Sequence, residues 1–305
     1  MTAVHSRIAL GTVQFGLLYG ATNQTGQVPA AQVEAILAAA AAHGVDTLDT
    51  AALYGDSETV LGRALEGKRQ AFRIVTKSAK RLDSTTGTMA RDAIRRDLEL
   101  SLTRLGQPSL HALLAHDPAE LLGQHGDARW RAFNDARAEG LIERIGLSVY
   151  SGQDIDRALK LLAPDLIQAP FNALDQRLLA GGQLARIAAS GTALHVRSVF
   201  LQGLLLQPTE AIEPRFAALT PHLKALDHLA AAHSLSRLAL LLALVLSQPG
   251  VERLVLGVTT AREFGEIAVA EQAALAVKDA LRYVSDEPLD ETMLNPAQWH
   301  LLPSP

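Results

Sequence analysis

Asp49, Tyr54, Lys77 and His116 are a carboxylate, a phenol, an ammonium and an imidazole, each at or just behind the end of a short apolar run. An ammonium held beside a phenol favours the phenolate. It therefore lowers the tyrosine's pKa from about 10 and makes Tyr54 a usable general acid near neutral pH. Asp49 supplies a counter-charge to Lys77 if their two runs pair as neighbours, about 4.8 Å apart. Taken singly, each residue also has a plainer use. Asp49 and Lys77 would make a solvated rim ion pair worth little, Tyr54 in ALYG a loop tyrosine capping the core, and His116 in LLAHDP a hydrogen-bonded rim residue before Asp117 and Pro118. A Schiff-base nucleophile is a further use for Lys77, which Asp49 opposes by keeping the amine charged.

Other chemistries lack their residues. The chain has no cysteine, which excludes disulfides, a thiol nucleophile and Cys-ligated metals and suits a reducing cytosol. No metal site is expected: His111 and His116 are an odd number of positions apart, so on one strand they face opposite ways, and no H-E-x-x-H occurs. No serine sits in a G-x-S-x-G elbow. GRALEGK (Gly62 to Lys68) approaches a phosphate loop, but Arg69 follows the lysine and the stretch precedes a strand instead of following one.

The elements that would position these side chains alternate. Short runs rich in Val, Ile and Leu occur at Ile8 to Val13, Val45 to Asp49, Phe72 to Lys77, Leu110 to His116, Ile142 to Ser148, Leu166 to Ala169, Ala193 to Val199 and Leu254 to Gly257. Helical patterns separate them, at Pro29 to His43, Thr88 to Leu105, Ala128 to Glu139, Asp154 to Leu162, Gln183 to Ser190 and Ser236 to Leu246. Strand, helix, strand repeated at this spacing over 305 residues requires crossovers and parallel pairing. It predicts an α/β fold, a (β/α)8 TIM barrel in a single domain. A doubly wound sheet would carry G-x-G-x-x-G after its first strand, and that pattern is missing. The charge balance, 28 Lys+Arg against 32 Asp+Glu, offers no basic stripe for nucleic acid or an anionic membrane. The longest apolar run, Leu238 to Leu246, is too short for a bilayer and no secretory signal is visible, so a cytoplasmic protein is expected.

The remaining runs deliver Ser148, Gln168, Arg197 with Ser198, and Gly257 with Thr259 and Thr260 to the carboxyl ends where a barrel keeps its chemistry. The motifs together resemble the aldo-keto reductase family over nearly the whole chain: GTVQFG (Gly11 to Gly16), LDTAALYGDSETVLGRAL (Leu48 to Leu65), IVTK, LLAHDP, IGLSVY, IQAPFN and LVLGVTTAREFGE, in the family's order. That resemblance implies a catalytic tetrad of Asp49, Tyr54, Lys77 and His116 and hydride transfer to a small aldehyde or ketone. It implies that Ser148 and Gln168 hold the nicotinamide carboxamide and that Ser198 and its neighbours line the pyrophosphate path. Gly257, Thr259, Thr260, Arg262 and Glu266 would surround the adenosine end, and Gly11, Thr12, Asp49, Arg197 and Gly203 complete the cofactor surface. Phe15, Tyr19 and Phe171 would wall the substrate beside Tyr54 and His116.

Several positions depart from the family pattern. Val149 removes an amide contact, Arg197 replaces an aromatic under the nicotinamide, and Ile267 and Glu263 stand where an asparagine and a cationic or amide residue are common. NADPH is the expected cofactor, with NADH the alternative, because Glu263 repels a 2′-phosphate that Arg262 could attract. The alternatives to a reductase are a nicotinamide-binding sensor barrel without turnover and a Lys77 Schiff-base lyase. A monomer suffices for the chemistry, substrate choice lies in the loops, and the tail 285–305 is expected over the barrel.

Overall fold

The apolar runs become parallel strands β1 (Ile8–Gly11), β2 (Thr47–Asp49), β3 (Arg73–Lys77), β4 (Leu110–Ala115), β5 (Ile142–Ser148), β6 (Leu166–Pro170), β7 (Ala193–Arg197) and β8 (Val251–Gly257). Each pairs with the next, and β8 closes onto β1. The structure, a computed structural model, describes residues 5–23, 25–67, 71–80, 82–83, 86–283 and 289–302.

Every strand is covered by helices on one face and packs around the barrel axis on the other, so both faces are buried and the strands read as continuous apolar runs. Val75, Ala112, Leu114 and Leu166 fill the interior as a separate small cluster. Outward-facing residues such as Leu48, Ile74, Leu113, Ile145 and Leu194 join the large core under the helices. Strand limits shift where charge or strain intervenes. β8 starts at Val251, ahead of the expected Leu254: Glu252 and Arg253 interrupt its apolar pattern, while Val251 and Arg253 still pair with β7 and Glu252 sits at the register shift between them. β7 stops at Arg197 because Ser198 turns to a left-handed φ of 61°.

The helices Ala30–Ala42, Gly87–Leu105, Gly126–Ala138, Gly152–Leu161, Gln183–Ser190 and Arg237–Leu246 match the expected patterns within two residues. The helices Ser57–Ala64, Thr220–Ala232 and Ala261–Val277 add to them. Gly62 lies inside the helix Ser57–Ala64, where a Cβ would fall 2.0 Å from the Arg104 carbonyl oxygen. The glycine there serves close helix packing; Lys68 and Arg69, the end of that phosphate-loop lookalike, lie outside the described residues. The apolar run in Arg237–Leu246 is a core helix, buried from Ala239 onward. Among the described residues no single helix is long and apolar enough to cross a membrane.

The chain's end returns to the loops behind β6 and β7. Arg177 binds Glu291 at 2.5 Å, and the Trp299 ring meets Phe216 edge-on with centroids 4.9 Å apart. Residues 285–288 and 303–305 of the expected tail lie outside the described residues.

Candidate functional site

The register of the first three strands sets up the central ion pair. Asp49 lies opposite Val75, so Lys77, two residues further on, shares Val75's inward face and reaches back across the strand boundary. Its Nζ donates to Asp49 Oδ1 at 2.6 Å and to the Thr50 carbonyl at 2.9 Å. The other carboxylate oxygen, Oδ2, accepts Gln168 Nε2 at 2.6 Å. Lys77 and Asp49 are only 1% and 2% exposed, so neither is a solvated rim charge. Burial alone would push the Lys77 ammonium down, but the charge of Asp49, and after it Tyr54, holds it above the usual lysine range. An amine held this firmly protonated makes a poor Schiff-base nucleophile.

Tyr54 stands over that cation, its ring centroid 5.0 Å from Lys77 Nζ. Two glycines bring it there. A Cβ on Gly16 would lie 1.9 Å from the Tyr54 carbonyl oxygen, and one on Gly55, where φ is +58°, would lie 2.3 Å from the Gly16 carbonyl oxygen. GTVQFG and ALYG thus interlock backbone on backbone. A buried hydroxyl knot secures the join: Ser57 Oγ donates to the Thr12 carbonyl at 2.9 Å and lies 3.0 Å from Thr12 Oγ1 and 3.1 Å from Thr50 Oγ1.

His116, one residue past β4, meets Tyr54 edge-on with ring centroids 5.8 Å apart. Burial first and the Lys77 charge second push its imidazole down to about 4, so it is neutral at physiological pH. Its Nδ1 is buried without a protein partner. Its backbone is pinned by a fully buried carboxylate: Glu120 Oε1 accepts from the N–H groups of His116 at 2.9 Å and Asp117 at 3.0 Å, while Ser78 Oγ donates to the same carboxylate. Burial holds Glu120 above the usual carboxylate range, and these hydrogen bonds offset that only in part.

An elongated cavity of about 510 Å³ opens beside this cluster and runs from Tyr54 past β7 and β8 to Ile267. Its size suits a bound cofactor, and its walls fit a dinucleotide. Gly203, with φ of +92°, lets the loop behind β7 approach Thr22, where a Cβ would fall 2.3 Å from Thr22 Oγ1. In the same loop Ser198, Leu201 and Gln202 also adopt positive φ, strain of a kind concentrated at ligand sites. Gln14 Oε1 faces the cavity buried and unpartnered. At the far end the helix Ala261–Val277 points its amino terminus at the cavity, capped by Thr260.

Of the residues expected at the cofactor, Gly11, Thr12, Asp49, Gln168, Arg197, Ser198, Gly203, Gly257, Thr259 and Glu266 border this cavity. Ser148 is buried at the end of β5 and does not border it, and Thr260 is occupied as the helix cap. Arg262 points away, its side chain 88% exposed and paired with Glu266 at 3.0 Å. Arg197 binds the Val149 carbonyl at 3.0 Å and stacks 4.0 Å from the Tyr150 ring centroid. On the substrate side Tyr19 borders the cavity, but Phe15 and Phe171 do not wall it. Both rings are buried in the core beneath the strands, because their segments fold inward at the strand ends. Gln14 borders the cavity without having been expected there, and Thr22 and Asn23 border it from one of the loops, Leu17 to Val28, expected to set substrate choice. Gln14, inside the GTVQFG motif, carried the one sequence signal that could have found it.

The family model described as Aldo/keto reductase family matches residues 7–282. Among curated proteins, the chain is 33% identical over 146 residues to a putative voltage-gated potassium channel subunit beta of Schizosaccharomyces pombe, and 32% over 139 residues to an aldo-keto reductase of a Mycobacterium species. These matches cover 43% and 45% of this chain and less than half of either relative's length, 42% and 46%. An uncharacterized oxidoreductase of Bacillus subtilis is 24% identical over 257 residues, 78% of this chain and 82% of that protein. Among solved structures, the fold matches glycerol dehydrogenase from Gluconobacter oxydans with a TM-score of 0.69 at 20% identity, covering 95% of this chain and 97% of that one. A putative aldo-keto reductase from Pseudomonas aeruginosa matches with a TM-score of 0.67 at 23% identity, covering 89% and 91%.

Proposed function

The chain belongs to the aldo/keto reductase family, and on that premise we propose that it is an oxidoreductase reducing an aldehyde or ketone to its alcohol with a reduced nicotinamide dinucleotide. The observation that carries this reading is the buried Lys77–Asp49 pair with Tyr54 over its cation and His116 edge-on to Tyr54, of which Asp49 and Tyr54 border a cavity of about 510 Å³ that reaches the helix behind β8.

A reduced nicotinamide dinucleotide held along Gln168, Ser198, Gly203 and Thr259 would supply hydride to the carbonyl carbon. The protein's own residues handle the proton and the charge. Tyr54 Oη gives its proton to the carbonyl oxygen, and the Lys77 ammonium beside it stabilises the phenolate left behind until solvent reprotonates it. Asp49 keeps Lys77 charged, and Gln168, donating to the free oxygen of Asp49, keeps that carboxylate turned toward the lysine. His116, neutral at physiological pH, orients the carbonyl through a ring N–H. Fixed charges and dipoles of this kind need no rearrangement as the reaction proceeds, and Glu120 and the Thr12–Ser57–Thr50 knot hold them in place.

Tyr54→Phe tests the assignment. Carbonyl reduction should fall by about 10²- to 10⁴-fold, while dinucleotide binding followed by fluorescence stays unchanged. Full turnover in the variant would overturn the reading. A wild-type protein that binds dinucleotide but reduces no carbonyl across a broad panel would point to the sensor barrel, and borohydride trapping of a substrate on Lys77 to the lyase.

A further inference from the structure

We propose that this barrel takes NAD(H) in preference to NADP(H), because Glu263 and Glu266 make the cavity's far end a seat for a ribose with a free 2′-hydroxyl and a barrier to a 2′-phosphate. The inference rests on the dinucleotide reading above and adds to it the identity of the cofactor.

With the nicotinamide beside Tyr54, the length of the cavity carries the adenosine ribose to the segment behind β8, where Thr259, Glu263, Glu266 and Ile267 form the wall. Glu263 is fixed there. Its Oε2 accepts the Thr259 backbone N–H at 2.7 Å, and both its oxygens lie 3.0 Å from Thr259 Oγ1. These donors, at the amino terminus of the helix Ala261–Val277, are the ones an incoming phosphate would use. A carboxylate of the chain already occupies them.

The cation that could offset this charge is turned elsewhere. Arg262 does not border the cavity, and its guanidinium is paired with Glu266, which does. Arg197 is the one cation among the described residues that line the cavity, and it is held toward β5 by the Val149 carbonyl and the Tyr150 ring. A 2′-phosphate arriving here would meet the Glu263 carboxylate, which no cation faces among the described lining residues, and a Glu266 whose charge already matches that of Arg262. A 2′-hydroxyl can instead donate to a carboxylate oxygen, a charge-assisted bond. Selectivity of this kind comes from a repulsive element as much as from an attractive one.

Isothermal titration calorimetry of the purified protein with NADH and with NADPH tests the proposal. NADH should bind at least tenfold more tightly at low salt, and the gap should narrow as ionic strength rises. Adenosine 5′-monophosphate should likewise outbind adenosine 2′,5′-bisphosphate. Glu263→Gln and, separately, Glu266→Gln should raise NADPH affinity and weaken NADH binding, so that the ratio of the two affinities moves toward or past one. Glu266→Gln leaves the Thr259 contacts intact and so serves as the check if Glu263→Gln loosens the loop. Equal or tighter NADPH binding would overturn the preference and leave the reductase reading standing. Binding of neither dinucleotide would overturn both.

Discussion

At the amino-terminal ends of the strands, Arg144 and His195 share the carboxylate of Glu252 at 2.8 and 3.2 Å, and Arg253 binds Asp46 at 3.2 Å. At the carboxyl-terminal ends, Lys77 and Asp49 pair at 2.6 Å beside Tyr54 and His116. The first cluster is graded into solvent: Arg144 is 22% and Glu252 36% exposed. The second is almost wholly buried, and its neighbours look onto a cavity. A buried ion pair is often no more stabilising than apolar residues of the same volume. One layer below, the barrel does use Val75, Ala112, Leu114 and Leu166. Charge alone therefore does not separate the two ends; what separates them is that one pair has been kept inside the barrel where a filled apolar layer was available.

That contrast predicts two different responses to mutation. Lys77→Met leaves Asp49 buried with an unmatched charge. Stability should fall by about 3–5 kcal/mol in urea unfolding, and kcat/KM by about 10³-fold or more. Adding Asn at Asp49 should restore most of the stability and none of the activity. At the other end, Glu252→Gln should cost about 1–2 kcal/mol and change kcat/KM less than twofold. Equal effects on catalysis from both ends would remove the distinction.

Glycines extend the comparison. A Cβ at Gly16 meets the Tyr54 carbonyl, and one at Gly62 meets the Arg104 carbonyl between two outer helices. Both Ala substitutions should destabilise by about 1–3 kcal/mol. Only Gly16→Ala should also lower kcat, by about 10- to 100-fold, because it displaces Tyr54, the proposed general acid, while leaving cofactor binding in place. A large loss of kcat in Gly62→Ala would show that Tyr54 is positioned through the helix layer and not by the strand-end loops.

Much of the fold was legible because a barrel strand buried on both faces must be a continuous apolar run, and the polar residue ending it stands out. Asp49, Lys77 and Ser148 end their strands as read. Less legible were elements whose pattern is broken or uniform. Thr220–Ala232 carries a proline in its first turn, and Ala261–Val277 is alanine-rich with Gly265 inside it. In the site, Gln168 could not be tied to Asp49 from sequence, since they lie 119 positions apart and only barrel closure sets their distance. Aromatic type placed Phe15 and Phe171 at the substrate wall, yet a ring beside a strand end serves the core as readily as the mouth. Arg262 looked available as a cation until the helix put Glu266 one turn away, within pairing distance.

At neutral pH the two buried histidines leave no mark on turnover, and their effect is confined to acid. Burial pushes both His116 and His195 down. Lys77 lowers His116 further, whereas hydrogen bonding to Glu252 only partly offsets the burial of His195, which stays below the usual histidine range. With His116 at about 4, the unfolded chain binds its proton below about 6.5 and the folded chain does not until about 4. Stability therefore rises with pH across that window and is lost on acidification, by up to about 3 kcal/mol from this residue. His116→Asn should flatten that part of the unfolding profile. Turnover should show no inflection from His116 between pH 5 and 8, because the ring stays neutral throughout. An inflection of kcat between pH 6 and 7 that disappears in His116→Asn would mean that the ring titrates at the ordinary value, and that neither its burial nor the Lys77 cation shapes the imidazole proposed to face the substrate.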